Sequence, residues 1–120
     1  MAEGHGIRAT VRYVGISPQK ARLVLDLVRG RDAVEALDLL KFTQKAAARP
    51  VAKLLRSAIA NAEENFGYSR DELIVSEIFA DKGPTRRWRR FGARGRFKPI
   101  DHRSSHITVI LRERDAELGE

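Results

Sequence analysis

Nine basic side chains and one acid fall between positions 82 and 103: Lys82, Arg86, Arg87, Arg89, Arg90, Arg94, Arg96, Lys98 and Arg103, against Asp101. Nine less one gives this stretch +8, while the whole chain of 120 residues carries +7, so everything outside it sums to −1. The positive charge is one local device on a nearly neutral body. Such a block repels itself and is stable only beside dense negative charge. Arginine forks match phosphate oxygens, and the interleaved Trp88, Phe91 and Phe97 offer faces on which bases stack. The chemistry implied is polyanion binding, with RNA preferred to DNA. A solvated tail would also be charged, but it would rarely carry a tryptophan and two phenylalanines.

A second basic set, Arg8, Arg12, Lys20 and Arg22, falls on the first predicted strand and the start of the first predicted helix. A helix N-terminus near Ser17 adds free N–H groups that suit a phosphate. The competing reading is scattered surface charge, and spacing alone favours neither. Lys41, Lys45, Lys53 and Arg56 are read as ordinary surface charges. His102 adds a donor to the phosphate-facing stretch.

Catalytic and metal chemistry find little support. The histidines are His5, His102 and His106. His102 and His106 stand four apart, but on a strand that spacing does not converge on a metal as a helix would. No serine lies in a G-x-S-x-G setting. Glu63-Glu64 and Asp71-Glu72 are adjacent acids that point in different directions. Asp101 and His102 are neighbours on a predicted strand and so face opposite sides. Gly92 and Gly95 do not follow a strand and open a helix, so no nucleotide loop is expected. The expectation is no enzyme, no cofactor and no metal.

Bulk properties bound the rest. The length predicts a single domain over 1–120, and 42% hydrophobic residues suffice for a modest core. With no cysteine, disulfides and thiolate sites are excluded. No apolar run suits a signal peptide or a membrane span, so a cytoplasmic protein is expected. Gly83, Pro84, Gly92, Gly95 and Pro99 spoil any amphipathic helix in the basic stretch, which argues against a membrane partner. No oligomer seam is visible, and no homo-oligomer is expected.

Several elements must position these groups. Ile7 to Tyr13 alternates, with Ile7, Ala9, Val11 and Tyr13 predicted on the buried face. Ser17-Pro18 opens a helix whose buried stripe is Ala21, Val24, Leu25 and Val28; Gly30 ends it. Asp32 with Glu35 fits a capping box and starts a short helix that stops near Phe42, with Ala33, Ala36, Leu37 and Leu40 inward. A longer helix spans roughly Thr43 to Asn65, with Ala47, Val51, Leu54, Leu55, Ala58, Ile59 and Ala62 inward. Pro50 places its true start near Arg49 or bends it. Ser57, Ala58, Ala60 and Ala62 are small enough for close approach to a sheet. Leu73 to Asp81 and His106 to Arg112 read as strands. A 22-residue unstructured loop between them would be out of scale with the domain. The two strands are instead expected to continue outward as a ribbon. The predicted fold is α+β: a three-stranded antiparallel sheet with three helices on one face and a long protruding β-hairpin. The body covers about 7–81 and 104–112, the basic hairpin about 82–103, and both tails fray.

Four motifs in this order resemble one family. I-S-P-Q-K-A-R-L-V-L-D-L-V-R-G at Ile16 to Gly30 is similar to the first-helix signature of the bacterial-type large-subunit ribosomal protein uL22. A-I-A-N-A-E-E-N at Ala58 to Asn65 resembles its long-helix motif. D-K-G-P-T-R-R from Asp81 and R-S-S-H-I-T-V at Arg103 to Val109 resemble the two roots of its hairpin. The resemblance implies a body near the peptide exit and a hairpin that threads through rRNA to line the exit tunnel. It implies contacts with several rRNA domains, a part in subunit assembly, neighbouring large-subunit proteins and the nascent peptide as partners, and tip changes that alter macrolide response. Carried over by position, Ser17, Lys20 and Arg22 face RNA. Gly83, Pro84, Thr85, Arg86 and Arg87 form the outgoing arm, and Trp88, Arg89, Arg90, Phe91 and Gly92 the tunnel tip. Gly95, Arg96 and Arg103 lie on the return. The family often has Pro-Arg where Phe91-Gly92 stand here, and Trp88 is bulkier than usual. The alternative function is a DNA-binding architectural protein with a basic β-ribbon.

Overall fold

The computed structural model describes residues 6–84, 86–91 and 97–114, with 86–91 and 97–102 described as backbone only. Strand β1 (Ile7–Val14) leads into helix α1 (Pro18–Val28), then α2 (Ala33–Lys41) and α3 (Ala48–Phe66). A single 3-10 turn (Arg70–Glu72) precedes β2 (Leu73–Lys82). The hairpin strands β3 (Arg86–Phe91) and β4 (Phe97–His102) follow, and β5 (Ser105–Glu113) returns to the body. β5 lies between β1 and β2, antiparallel to both.

The helices begin and end where local chemistry requires. The Ser17 hydroxyl accepts the Lys20 N–H at 3.4 Å, and Pro18 fills the first helical position, where its missing N–H costs nothing. Gly30 takes φ +81°, a left-handed conformation that turns the chain out of α1. Gly67, at φ +71°, does the same for α3. Helix α3 starts at Ala48, so Pro50 lies in its first turn and kinks nothing. The expected capping box at Asp32 does not form. Asp32 instead pairs with Arg114 at 3.0 Å, and Glu35 is taken by Arg31 at 2.8 Å.

The predicted apolar stripes meet in one core. Ala21, Val24, Leu25 and Val28 from α1, and Val51, Leu54, Leu55, Ala58, Ile59 and Ala62 from α3, are buried. They cover Val75, Ile78, Ala80, Ile107, Val109 and Leu111 on the inner face of the sheet. Ser57 and Ala60, expected among the close-packed small residues, are exposed. In β2 the register slips between Val75 and Glu77. That bulge moves the inward positions from Leu73 and Val75 to Ile78 and Ala80, a parity change that sequence alternation hides. The C-terminal boundary also differs from expectation. Glu113 still pairs with Leu73, and Arg114 donates to the Asp71 carbonyl at 2.9 Å. Of the frayed tails expected before residue 7 and over 113–120, residues 1–5 and 115–120 lie outside the described residues.

The free edge of β2 is closed by α1. Arg22 Nη2 donates to the Ala80 carbonyl at 2.9 Å, Arg29 Nη2 to the Ile78 carbonyl at 2.8 Å, and the Gly30 N–H to the Val75 carbonyl at 2.8 Å. Two arginines seven residues apart stand two turns apart on one helix face, so they reach along one strand. Edge carbonyls left open would invite another strand. Replacing Arg29 with Ala should cost about 1–2 kcal/mol, read as a lower urea midpoint with unchanged slope. The exposed Arg29–Asp26 ion pair contributes little of that.

Candidate nucleic-acid interface

The hairpin does not simply prolong β2 and β5. β3 and β4 form a two-stranded sheet of their own. A short break at Gly83-Pro84 and Arg103-Ser104 separates it from the body, which corrects the expected uninterrupted ribbon. The break is clasped. Gly83 N–H donates to the Ser104 carbonyl at 2.9 Å, and the Ser104 hydroxyl donates to the Pro84 carbonyl at 2.9 Å. A Cβ on buried Gly83 would stand 2.4 Å from Ser104 Oγ and 3.2 Å from its backbone, so a larger residue would have to push the Ser104 hydroxyl out of the clasp. Ser105, fully buried, donates to the Ile16 carbonyl at 2.5 Å and ties the start of α1 to the same root. Both serines of the R-S-S-H motif are therefore spent on positioning the arm, not on chemistry.

Beyond the root, the ladder runs Arg86↔His102, Arg87↔Asp101, Trp88↔Ile100, Arg89↔Pro99, Arg90↔Lys98 and Phe91↔Phe97. Arg87 stands opposite the stretch's lone acid, while Arg90 stands opposite Lys98, an arrangement that costs stability in water. A free two-stranded ribbon is marginal even without that repulsion. Pro99 is tolerated because a ribbon strand has one open edge. The chain measures 65 × 30 × 24 Å, with a radius of gyration of 17.4 Å against about 14 Å for a compact chain of this length. Among the expected site residues, Gly92, Arg94 and Arg96 lie outside the described residues, as do Thr85 and Gly95 of the outgoing and returning arm.

On the body, cations divide into two groups. Arg29, Arg31, Arg70, Arg112 and Arg114 each have a carboxylate within ion-pair reach. Arg70 holds the Glu63 carboxyl below its ordinary range, chiefly by their hydrogen bond, and Glu63 in turn raises the Arg70 guanidinium. Among the described residues no carboxylate pairs with Arg8, Arg12, Lys20, Lys82 or Arg103, all exposed. Arg8 and Arg12 lie on β1, Lys20 in the first turn of α1, and Lys82 and Arg103 on either side of the hairpin root. Ser17 has its hydroxyl engaged as a cap, and Arg22 is partly engaged by β2, so both serve the fold first.

Two features escaped the sequence reading. Lys41, Lys53 and Arg56, read there as unremarkable surface charges, converge with Arg49 on an open cleft of about 600 Å³ between α2 and α3. Asp38 is the single acid on its rim. Phe42 is 78% exposed beside it in the chain. The folding-back of α3 on α2 creates this convergence, and helical spacing alone does not reveal it. Tyr13, expected inside, is 65% exposed. The register runs Val11↔Ile107 and then Val14↔Ser105, so β1 holds one residue more than β5. That bulge turns Tyr13 out and lets Val14 take the row beside Ser105. His106, read as a plain strand start, packs edge-on with the Tyr13 ring at 4.9 Å between centroids.

Neither a group of acids and histidines able to hold a metal nor a helix long and apolar enough to cross a membrane occurs among the described residues. What the arrangement offers is a set of cations on β1, at the start of α1 and at the clasped root that no described carboxylate pairs, in a chain that carries a basic ribbon. Comparison with known proteins agrees with the order of motifs. The chain is 49% identical over 114 residues to the large ribosomal subunit protein uL22 of Streptococcus pyogenes serotype M6, covering 95% of this chain and 100% of that protein. A family model described as ribosomal protein L22p/L17e matches residues 9–112, which take in the body sheet, all three helices and the hairpin, so this chain belongs to that family.

Proposed function

We propose that this chain is a structural constituent of the large ribosomal subunit that binds and bridges rRNA segments, with no catalytic role. The observation that carries this is a basic hairpin, built as a sheet separate from a nearly neutral body, in a chain that matches the family over both parts. The relative in Streptococcus pyogenes is named as a large ribosomal subunit protein, which supports the same assignment here.

The physical account follows from the charge layout. RNA helices repel one another, and arginine forks bind phosphates of several at once. The hairpin enters between segments and its cations, Lys82, Arg86, Arg87, Arg89, Arg90, Arg94, Arg96, Lys98 and Arg103, offset that repulsion. Arg8, Arg12 and Lys20 hold the backbone nearest the root, with Ser17, Arg22 and His102 as additional donors. The outgoing strand from Trp88 to Gly92, expected as the tip but paired along the ribbon as far as Phe91, lines the exit tunnel and meets the nascent peptide. Neighbouring large-subunit proteins complete the setting, and the protein works in the cytoplasm on the ribosome.

Sedimentation tests this directly. Tagged protein should co-migrate with large subunits and leave that fraction after ribonuclease treatment. Protein that stays free of subunits would overturn the reading, and equal affinity for duplex DNA and rRNA fragments at matched salt would favour an architectural DNA-binding protein instead.

A further inference from the structure

Tyr13 is the one non-glycine residue among those described with a left-handed backbone, at φ +60°. Bulky side chains avoid that region because Cβ crowds the following carbonyl. Strain of this kind persists where the surroundings hold it in place. Here they do. The extra residue of the bulge leaves Tyr13 outside the ladder, and its N–H donates to His106 Nδ1 at 3.1 Å. The result is an aromatic ring that is 65% exposed, fixed in direction by its backbone and by the edge-on His106 ring. A core tyrosine on an unbulged strand would cost nothing in backbone strain. The fold instead holds this one out.

The neighbourhood indicates what the ring receives. Val14, Ser105 and Lys82 form the inward row across the sheet, so Lys82 stands on the face opposite the Tyr13 and His106 rings, and the cross-strand neighbour of His106 on β2 is Asp81. Arg12 precedes Tyr13 in the chain and is exposed, with no carboxylate partner among the described residues. Arg103 lies two residues before the Ser105 row, also exposed and with none among the described residues. Because His106 Nδ1 accepts the Tyr13 N–H, a neutral His106 carries its proton on Nε2 and can donate it outward. A flat face, a nearby ring donor and the adjacent Arg12 cation match an unpaired nucleobase held by its own phosphate.

We propose that the bulge at Tyr13 is a stacking platform for one unpaired RNA base at the root of the hairpin, with His106 positioning the ring. This rests on the ribosomal reading above and adds a non-electrostatic contact to it.

The test uses the full chain and large-subunit rRNA, with affinity measured across a salt series. Tyr13→Phe keeps the ring and should bind within about twofold of the native protein. Tyr13→Gly and Tyr13→Asn suit a left-handed backbone but lack the ring, and should bind about tenfold more weakly. Their log–log salt slope should stay at the native value, because no phosphate contact is lost. Their melting temperatures should stay within a few degrees of native, since relief of backbone strain offsets the lost ring contact. Native affinity in both ring-less variants would overturn the platform. So would weak binding that comes with a large drop in melting temperature in both, which would make Tyr13 a structural residue. A native chain that does not bind rRNA at all would instead sink the ribosomal reading, so the two failures are distinguishable.

Discussion

Deleting Arg86 to Lys98 should leave a body that melts at the native temperature and binds rRNA roughly a hundredfold or more weakly near physiological salt. The first half of this expectation follows from where the core lies. Every buried apolar side chain among the described residues belongs to β1, the helices and the connection into α3, β2 or β5. β3 and β4 pair only in their own sheet. The second half follows from charge. The deletion removes Arg86, Arg87, Arg89, Arg90, Arg94, Arg96 and Lys98. Each phosphate neutralised contributes about 0.7–0.9 to the salt dependence, so the slope should fall by up to roughly six. Calorimetry checks the melting point, and filter binding over a salt series checks the slope. A body that unfolds on deletion would show that the hairpin supports the core. A slope that does not change would show that its cations do not meet phosphate.

Leu55→Ala should have the opposite signature, a large loss of stability with the intrinsic RNA chemistry intact. Leu55 is fully buried on α3, packed in the same core as Leu25 of α1 and Leu111 of β5. Removing three carbons there loses transfer energy and leaves a cavity, together about 3 kcal/mol. A body of this size has a total stability of about 5–15 kcal/mol, so the melting temperature should fall by roughly 10–20 °C. At temperatures well below that transition, affinity for rRNA should match the native protein. The control is Ser57→Ala on the exposed side of the same helix, which should move the midpoint by less than about 0.5 kcal/mol. Equal effects from the two would mean that α3 presents a different face to the sheet.

The contrast between those two substitutions shows what the sequence made legible. Helical stripes on α1 and α3 were readable because burial of one helix face forces the 3.6-residue period onto the sequence. All four expected core positions of α1 and all seven expected for the long helix are buried, Ala47 just ahead of α3 and the other six within it. The basic hairpin was readable for a different reason: charge density does not depend on register. What failed was anything that one inserted residue can reverse. The bulge in β1 turned Tyr13 outward and the bulge in β2 shifted its inward parity, and neither leaves a mark in simple alternation. Asp32 failed as a capping box for a related reason. Its carboxylate has a better partner in Arg114, which is 82 positions away in sequence and adjacent only after β5 has paired with β2. The R-S-S-H motif was legible as a family signature, but its physical meaning was not. Only the fold brings Ser104 to Gly83-Pro84 and Ser105 to Ile16. The cleft of Lys41, Arg49, Lys53 and Arg56 likewise requires two helices to meet.

Amide hydrogen exchange over the hairpin ladder, in the free protein and in complex with large-subunit rRNA, bears most directly on whether polyanion is what stabilises this arm. In the free protein, amides of 86–91 and 97–102 should exchange within about tenfold of an unstructured chain, while those of β5 in the body are protected by orders of magnitude. Adding rRNA should bring the hairpin amides toward the protection of β5. Hairpin amides already as protected as β5 in the free protein, and unchanged by rRNA, would contradict the account.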